Sequence, residues 1–149
     1  MIEKRQNIDE GIIMVQDEFA KKCMAKPGDK DYTSFTLYCR YYFDIAYNFK
    51  VSKNSFYPVP KVDSAIMTLK PRKKTLFTID ENLFFNMIRT SFWGRRKTLI
   101  SCLSKGPYLK LAPKFKDCDF FKKHPKVRGE TLSLQEFYQL YENIYPFFL

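Results

Sequence analysis

The order of apolar and polar residues divides the chain into a mixed first half and a helical second half. Residues 11–15 form an unbroken apolar run, which is typical of a strand covered on both faces, as in a parallel sheet. From Asp17 onward, apolar residues recur every third or fourth position until Pro27-Gly28, which predicts a helix with one buried stripe. A strand followed by a helix is half of a crossover unit, so this segment predicts an α/β arrangement.

Two further patterns follow in the first half. Residues 32–42 fit either a helix or a strand, and we favour a helix that leads into a strand over residues 43–51, where apolar and polar side chains alternate. A second alternating run begins at Ser64 and predicts another strand that ends at Pro71. Because one stiff loop joins the two strands, we expect them to form an antiparallel pair.

Beyond residue 75 the apolar period is helical throughout. The basic segment 72–74 that precedes it is typical of a hinge, and we place a domain boundary there, between residues 1–74 and 75–149. The second domain is predicted to be a small helical bundle in which residues 105–130 are rich in loops.

Capping patterns predict where helices of the second half begin and end. Thr78 and Glu81 have the spacing of a capping box, in which a side chain and the backbone at a helix start satisfy each other's hydrogen bonds. Ser133 and Glu136 repeat that spacing. Gly94 is predicted to end the first helix, and the basic run directly after it to open the next.

The net charge and its distribution along the chain indicate which class of molecule the protein binds. The chain has 149 residues, 45% of them hydrophobic, which suits one ordinary core or two small units, and its formal net charge is +10. Residues 1–50 carry eight basic and eight acidic side chains, whereas residues 51–100 carry ten and three. This asymmetry favours nucleic acid as the partner, with an anionic membrane surface second and a generally basic, soluble surface as the remaining alternative.

The cysteine pattern argues against a metal site. The four cysteines are widely spaced and share one histidine, His124, so zinc ligation is not predicted, and they resemble small buried hydrophobes in a reducing compartment: Cys23, Cys39, Cys102 and Cys118. No apolar run reaches the roughly 20 residues that span a bilayer, and the first residues are too charged for a signal peptide. We therefore expect a cytoplasmic protein with no membrane partner.

The loop between the two predicted strands carries two aromatics and two prolines. Proline fixes its own backbone angle and restricts the preceding residue, so Tyr57 to Pro60 should be extended and stiff. Phe56 and Tyr57 either form a preorganised stacking surface or simply cover a sheet edge, and spacing alone favours the cover. Asp63 beside Lys61 predicts a weak ion pair at the start of the next strand.

Two charged clusters have open interpretations. In the run Arg95 to Lys97, three cations crowd into little space, which favours a shared anion such as phosphate; a solvated charge run is equally compatible. Positive charge at a helix start is unfavourable, which strengthens the first interpretation. Gln16, Asp17 and Glu18 lie at the end of the first strand and have no identifiable catalytic partner, so we favour helix capping and dipole complementarity for them.

Four stretches, in order, resemble the ribosomal RNA adenine dimethyltransferase family. The most specific is Phe56-x-Pro58-x-Pro60-Lys61-Val62-Asp63-Ser64-Ala65, which is similar to the family's signature. The others are Met14 to Glu18, similar to a strand-to-helix segment; Tyr41-Tyr42, preceded by Pro27-Gly28, similar to the following helix; and Phe92-x-x-Arg95-Arg96-Lys97-Thr98, similar to the opening of a helical domain. They cover roughly residues 8 to 145.

The resemblance implies an α+β fold. It would be the C-terminal part of an S-adenosylmethionine-dependent methyltransferase sheet, about three strands with helices, in residues 1–74, followed by a small helical RNA-binding domain in residues 75–149. The family's glycine-rich donor motif and its Asn-Leu-Pro-Tyr type motif should precede residue 1. The chain thus resembles only the C-terminal half of the enzyme, and we expect an exposed sheet edge and apolar surface, with association unless a partner covers them.

The implied activity is methyl transfer from S-adenosylmethionine to N6 of flipped-out adenines in small-subunit ribosomal RNA, with this chain inactive alone and the missing half as a partner. The alternative is a non-catalytic RNA-binding module. Phe56 is implied to stack on the extruded adenine. The residues implied to contact RNA are Tyr57, Pro58, Pro60, Lys61, Arg72, Lys73, Lys74, Arg95, Arg96 and Lys97.

Overall fold

The computed structural model describes residues 7–149, which divide into two compact units. The first contains the residues up to Lys26 together with Lys30–Leu76, and the second contains Pro27–Asp29 together with Phe77–Leu149. All three named strands lie in the first unit, whereas the described part of the second is helical apart from one isolated β-bridge.

The first unit is a three-stranded antiparallel sheet with two helices. Its elements are β1 (Gly11–Gln16), α1 (Asp17–Met24), α2 (Ser34–Tyr42), β2 (Phe43–Val51) and β3 (Ser64–Pro71). The strand order is β1-β3-β2, and β3 pairs antiparallel with both neighbours. The predicted helix-to-strand transition before residue 43 and the predicted antiparallel pair are confirmed.

The start of α1 shows why the chain turns into a helix directly after β1. Asp17 and Glu18 lie in its first turn and Lys21 and Lys22 in its last, so both ends complement the helix dipole. The side chains also pair one turn apart, Lys21 with Asp17 at 2.7 Å and Lys22 with Glu18 at 3.0 Å. Such pairs stabilise a helix by about 0.2–0.5 kcal/mol each, so they support α1 without determining the fold.

The core of the first unit lies between one face of the sheet and its two helices. Ala20 and Cys23 of α1 and Ala65 and Met67 of β3 are buried. Partly buried apolar side chains surround them: Ile13, Val15, Cys39, Ile45 and Tyr47. Ile13 and Val15, which are alternate residues of β1, therefore contribute to the core.

The opposite face of the sheet is apolar and exposed. Ile12 and Met14 are 65% and 53% exposed, and Phe49 is 57% exposed. Met14 and Phe49 are both paired with Ile66, so they form one apolar row across the sheet. The expectation that β1 is parallel and covered on both faces is wrong within residues 7–149, because β1 pairs antiparallel with β3 and only its inner residues pack on the core cluster.

This exposed row predicts self-association. We expect Met14→Lys to reduce concentration-dependent association of the chain, measured by sedimentation velocity, because a lysine on the sheet face makes its burial costly. Asn82→Lys adds the same charge at an exposed position of the second unit and serves as the control. Equal association of Met14→Lys and the unaltered chain would show that this face is not the contact.

The second unit is built from four helices: α3 (Glu81–Phe92), α4 (Leu99–Lys105), α5 (Asp119–Lys123) and α6 (Leu134–Ile144). Short 3-10 segments lie at Pro113–Asp117, Gly129–Thr131 and Tyr145–Phe147. The fully buried side chains of this unit are mostly large and apolar, and they include Phe84, Met87, Ile88, Leu99, Phe115, Phe137, Leu140 and Ile144. Large aromatic side chains thus supply much of a small core.

One of the two predicted capping boxes is present. Ser133 Oγ accepts a hydrogen bond from Glu136 N at 3.3 Å, and Glu136 Oε2 accepts one from Ser133 N at 2.8 Å. The box predicted at Thr78 is wrong: Asp80 caps α3, its Oδ1 accepting from Leu83 N at 3.0 Å. The carboxylate of Asp80 directly precedes the helix and reaches the third amide, so it performs the role assigned to the more distant threonine.

Candidate functional site

The proline loop presents its two aromatics differently. After β2, Lys53–Ser55 form a 3-10 turn whose start is capped by Ser52, with Asn54 N donating to Ser52 Oγ at 3.3 Å. Phe56 is half-buried, whereas Tyr57 is 101% exposed, and the peptide bond that follows Tyr57 is cis. Tyr57 therefore does not cover the sheet edge, and of the two aromatics only Phe56 is compatible with that role.

Asp63 fastens both ends of this loop. Its Oδ1 accepts from Lys53 N at 2.9 Å, and its Oδ2 pairs with Lys50 Nζ at 2.7 Å. Its carbonyl oxygen accepts from Asp17 N at 3.0 Å, which joins the loop to the β1–α1 junction. The predicted pairing of Asp63 with Lys61 is wrong, because the register of β2 on β3 brings Lys50 to the carboxylate.

A polar cavity of about 270 Å³ lies beside the loop. Its lining combines the end of β1 and the start of α1 with residues of the loop: Gln16, Asp17, Glu18, Lys53, Lys61, Val62 and Asp63. Asp17 and Glu18, for which the sequence indicated no partner, thus lie beside the loop that carries the family signature. Asp17 is buried, and its carboxylate accepts from Tyr47 Oη at 2.8 Å and pairs with Lys21.

These contacts shift the acidity of both carboxyl groups. Lys21 and the Tyr47 hydroxyl hold the pKa of Asp17 below its ordinary value, and Lys50 with the Lys53 amide does the same to the pKa of Asp63. A carboxylate whose pKa is lower in the folded than in the unfolded chain stabilises the fold above about pH 4, and loses that effect as pH falls through the folded pKa.

We expect Asp63→Asn to lower the stability of the first unit at pH 7. The amide carries no charge to pair with the Lys50 cation. The difference from the unaltered chain should shrink as pH falls below about 4, because the carboxylate then takes up a proton in the unfolded chain and, at lower pH, in the folded chain as well. Denaturant unfolding at pH 7 and at about pH 3, followed by circular dichroism, measures this. Asp31→Asn removes a half-buried carboxylate of the same unit outside the network and is the control. An equal loss at both pH values would contradict the role of the charge.

The basic run of the second unit lies in a turn. Lys97 N donates to Gly94 O at 2.8 Å, and Thr98 caps α4, its Oγ1 accepting from Ser101 N at 3.4 Å. The expectation that this run opens the helix is wrong, since α4 begins at Leu99. The charges consequently precede the helix instead of occupying its first turn.

The three cations of that turn have different surroundings. Arg95 Nε pairs with Glu130 Oε2 at 2.9 Å and its Nη2 lies 3.5 Å from Asp29 O, so part of its role is structural. Lys97 Nζ lies 4.4 Å from the centre of the Trp93 ring, at cation–π distance. Arg96 is exposed. The exposed guanidinium of Arg96 suits an external anion best.

The predicted hinge cations lie at the far end of β3 from the loop. Arg72 pairs with Asp44, and Lys73 Nζ contacts Asp9 Oδ1 at 3.0 Å and Ile8 O at 3.1 Å. Lys74 is exposed. Because the strand rises about 3.3 Å per residue, its two ends are on the order of 20 Å apart. The structure therefore groups Phe56, Tyr57, Pro58, Pro60 and Lys61 in one loop, and places Arg72, Lys73 and Lys74 elsewhere in the unit.

Lys50, Lys53 and Tyr47 belong to this site although the sequence did not single them out. Their contribution depends on strand register and on a backbone amide, for which residue type gives no signal. In residues 7–149, no group of three or more metal-ligating side chains comes together. Nor does any helix in that part of the chain have the length and hydropathy to span a membrane.

Comparison with known proteins agrees with the signature in the loop. The family model for ribosomal RNA adenine dimethylase matches residues 1–142. Ribosomal RNA small subunit methyltransferase A of Protochlamydia amoebophila is 39% identical over 146 residues, which cover 97% of this chain and 50% of that protein. The protein of the same name from Clostridium acetobutylicum is 41% identical over 134 residues, covering 89% and 48%.

Solved structures show the same fold. A dimethyladenosine transferase from Plasmodium falciparum matches with a TM-score of 0.78 and 22% identity, covering 99% of this chain and 63% of that one. The 23S rRNA methyltransferase ErmE matches with a TM-score of 0.61 and 24% identity, covering 92% and 55%. The chain spans about half the length of the curated relatives it matches. The chain belongs to the ribosomal RNA adenine dimethylase family.

Proposed function

We propose that this chain supplies the target-base and RNA-contact half of an enzyme that transfers methyl groups from S-adenosylmethionine to N6 of adenines in small-subunit ribosomal RNA. One observation carries the proposal. The family's signature loop is fastened by Asp63 to the end of β1, and the polar cavity beside it brings Lys61 together with the segment 16–18.

The fastened loop suits recognition of an extruded base. Adenine N6 is a poor nucleophile because its lone pair is delocalised into the ring, so the base has to leave the helix and be aimed at the methyl donor. Phe56 is the proposed stacking surface, and stacking of a base on an aromatic side chain is worth about 1–3 kcal/mol. Holding the loop in place before binding lowers the entropy cost of that contact.

The exposed cations are the proposed phosphate contacts. Lys61, Lys74 and Arg96 are exposed, and Lys97 stacks on an aromatic ring that leaves its charge available. Arg72, Lys73 and Arg95 already contact acceptors within the protein, so their contribution to RNA affinity should be smaller. Tyr57, Pro58 and Pro60 would contact RNA alongside Phe56. Structured RNA is recognised mainly through shape and backbone contacts, which suits such dispersed charges.

The methyl-donor site is proposed to lie outside this chain. The curated relatives are about twice as long as the region that this chain matches. The complementary half would provide the donor site and the acceptors for the adenine amino group. We propose that the assembled enzyme acts on the small ribosomal subunit in the cytoplasm.

Binding measurements on the isolated chain test this division of labour. We expect it to bind a hairpin of small-subunit ribosomal RNA with strong salt dependence, and to give no heat of binding with S-adenosylmethionine in calorimetry. RNA binding in filter assays confirms that the preparation is active. Measurable donor binding by this chain alone would overturn the proposal that the donor site lies elsewhere.

A further inference from the structure

Two cysteines meet between α1 and α2. Cys23 lies in the last turn of α1 and is 3% exposed, and Cys39 of α2 is half-buried. Both pack in the apolar cluster around Met67. Their thiols interact with each other across this cluster, and neither cysteine is in a disulfide.

Hydrogen bonds on both sides hold this pair in register. Thr36 Oγ1 donates to Lys22 O at 2.8 Å, and Arg40 Nη2 donates to Met24 O at 2.9 Å. The accepting carbonyls belong to the end of α1, where backbone oxygens lack partners within the helix. The accepting residues, Lys22 and Met24, lie on either side of Cys23 in the sequence, and the donating residues lie on either side of Cys39. These two bonds therefore hold the end of α1 against α2 beside both cysteines.

Cys39 is the more exposed member of the pair, and a cleft adjoins both cysteines. Both cysteines line an apolar cleft of about 520 Å³ in the first unit. Phe19, Phe35 and Tyr38 also line it, and these aromatics are 39%, 42% and 37% exposed. A small aromatic reagent can thus pack against the cleft while it approaches the sulfur atoms.

The interaction shifts the pKa values of the two thiols in opposite directions. The hydrogen bond from Cys39 holds the pKa of the Cys23 thiol below its ordinary value, and Arg40 acts in the same direction against the opposing effect of burial. The same contact, with burial, raises the pKa of Cys39. Cys23 is consequently the better nucleophile, because the thiolate is the reactive form.

We propose that Cys23 and Cys39 form a dithiol site that reacts with small aromatic disulfides and closes to a disulfide between α1 and α2. The Cys23 thiolate attacks one sulfur of the reagent, forming a mixed disulfide, while the reagent's S–S bond breaks and one reagent thiolate leaves. Cys39, after losing its proton to solvent, attacks the Cys23 sulfur and displaces the second reagent thiolate. Two cysteines are oxidised and one reagent molecule is reduced to two thiols.

The test uses the full chain with Cys102→Ala and Cys118→Ala, so that only the pair remains, and dithiodipyridine as the reagent. We expect release of two pyridinethione molecules per chain, a monomer lighter by two hydrogen atoms, and a linked peptide containing Cys23 and Cys39. Adding Cys39→Ala should stop the reaction at one released molecule, with the reagent retained on Cys23.

Retention of the reagent on the chain that has both cysteines would overturn the proposal, as would intermolecular dimers or no reaction. Should the background substitutions prevent folding, because Cys102 is buried, peptide mapping of the oxidised unaltered chain decides instead. The linked peptide then either contains this pair or shows that other thiols react.

Discussion

Phe56→Ala is expected to lower methyl transfer about 10- to 100-fold in an enzyme reassembled from this chain and its complementary half. The loss follows from removing a stacking contact worth about 1–3 kcal/mol. A loss of about 1.4 kcal/mol corresponds to a tenfold lower rate. RNA affinity should change much less, because one base is a small part of a large phosphate footprint. Single-turnover methylation and filter binding on the same preparations measure the two effects.

A second substitution separates stacking from packing at this position. Phe56→Leu keeps an apolar side chain that can cover the sheet edge but removes the aromatic face, whereas Phe56→Trp keeps that face. Stacking predicts that only Phe56→Trp retains turnover. Restored turnover in Phe56→Leu, or equal losses of turnover and affinity in Phe56→Ala, would assign the residue to covering the sheet.

Replacing Arg95 and Arg96 together is expected to weaken RNA binding about tenfold or more at moderate salt, and to flatten its salt dependence. Each lost phosphate contact lowers the slope of log affinity against log salt concentration by about 0.7–0.9. The single variants should differ: Arg96→Ala should affect RNA binding alone, whereas Arg95→Ala should also lower the thermal stability of the second unit, because Arg95 pairs with Glu130.

Lys126→Ala is the matched control for these variants, since Lys126 is an exposed cation of the same unit outside the run. It should leave the salt slope nearly unchanged. An unaltered slope in the double arginine variant would assign the run to structure and would leave the loop as the main RNA contact.

The sequence predicted the elements around the loop well. Alternation over residues 43–51, and a second alternating run from Ser64 to Pro71, predicted the boundaries of β2 and β3, because pleated strands and proline constraints are local effects. The environment of β1 was predicted wrongly, because an unbroken apolar run does not specify which elements are present to cover each face. Contrary to that prediction, Ile12 and Met14 are exposed.

Contacts that depend on tertiary register were not predictable. Asp63 meets Lys50 because β2 and β3 pair with a register shift between Tyr47 and Phe49, and no local pattern encodes that shift. The meeting of Cys23 and Cys39 depends equally on how two helices pack. The cap of α3 was predicted at the wrong residue for a local reason. Thr78 and Asp80 are both good capping residues, and spacing alone did not decide between them.

Reconstitution of methyl transfer decides whether this chain supplies one half of a methyltransferase. This chain would be mixed with the half of the Protochlamydia amoebophila relative that it does not match, together with labelled S-adenosylmethionine and a small-subunit ribosomal RNA fragment. Mass spectrometry of the digested RNA would then detect N6,N6-dimethyladenosine. The proposed function predicts product only when both halves are present, and strongly reduced product with Phe56→Ala. RNA binding without any methylation in the complete mixture would contradict it, and would indicate a non-catalytic RNA-binding protein.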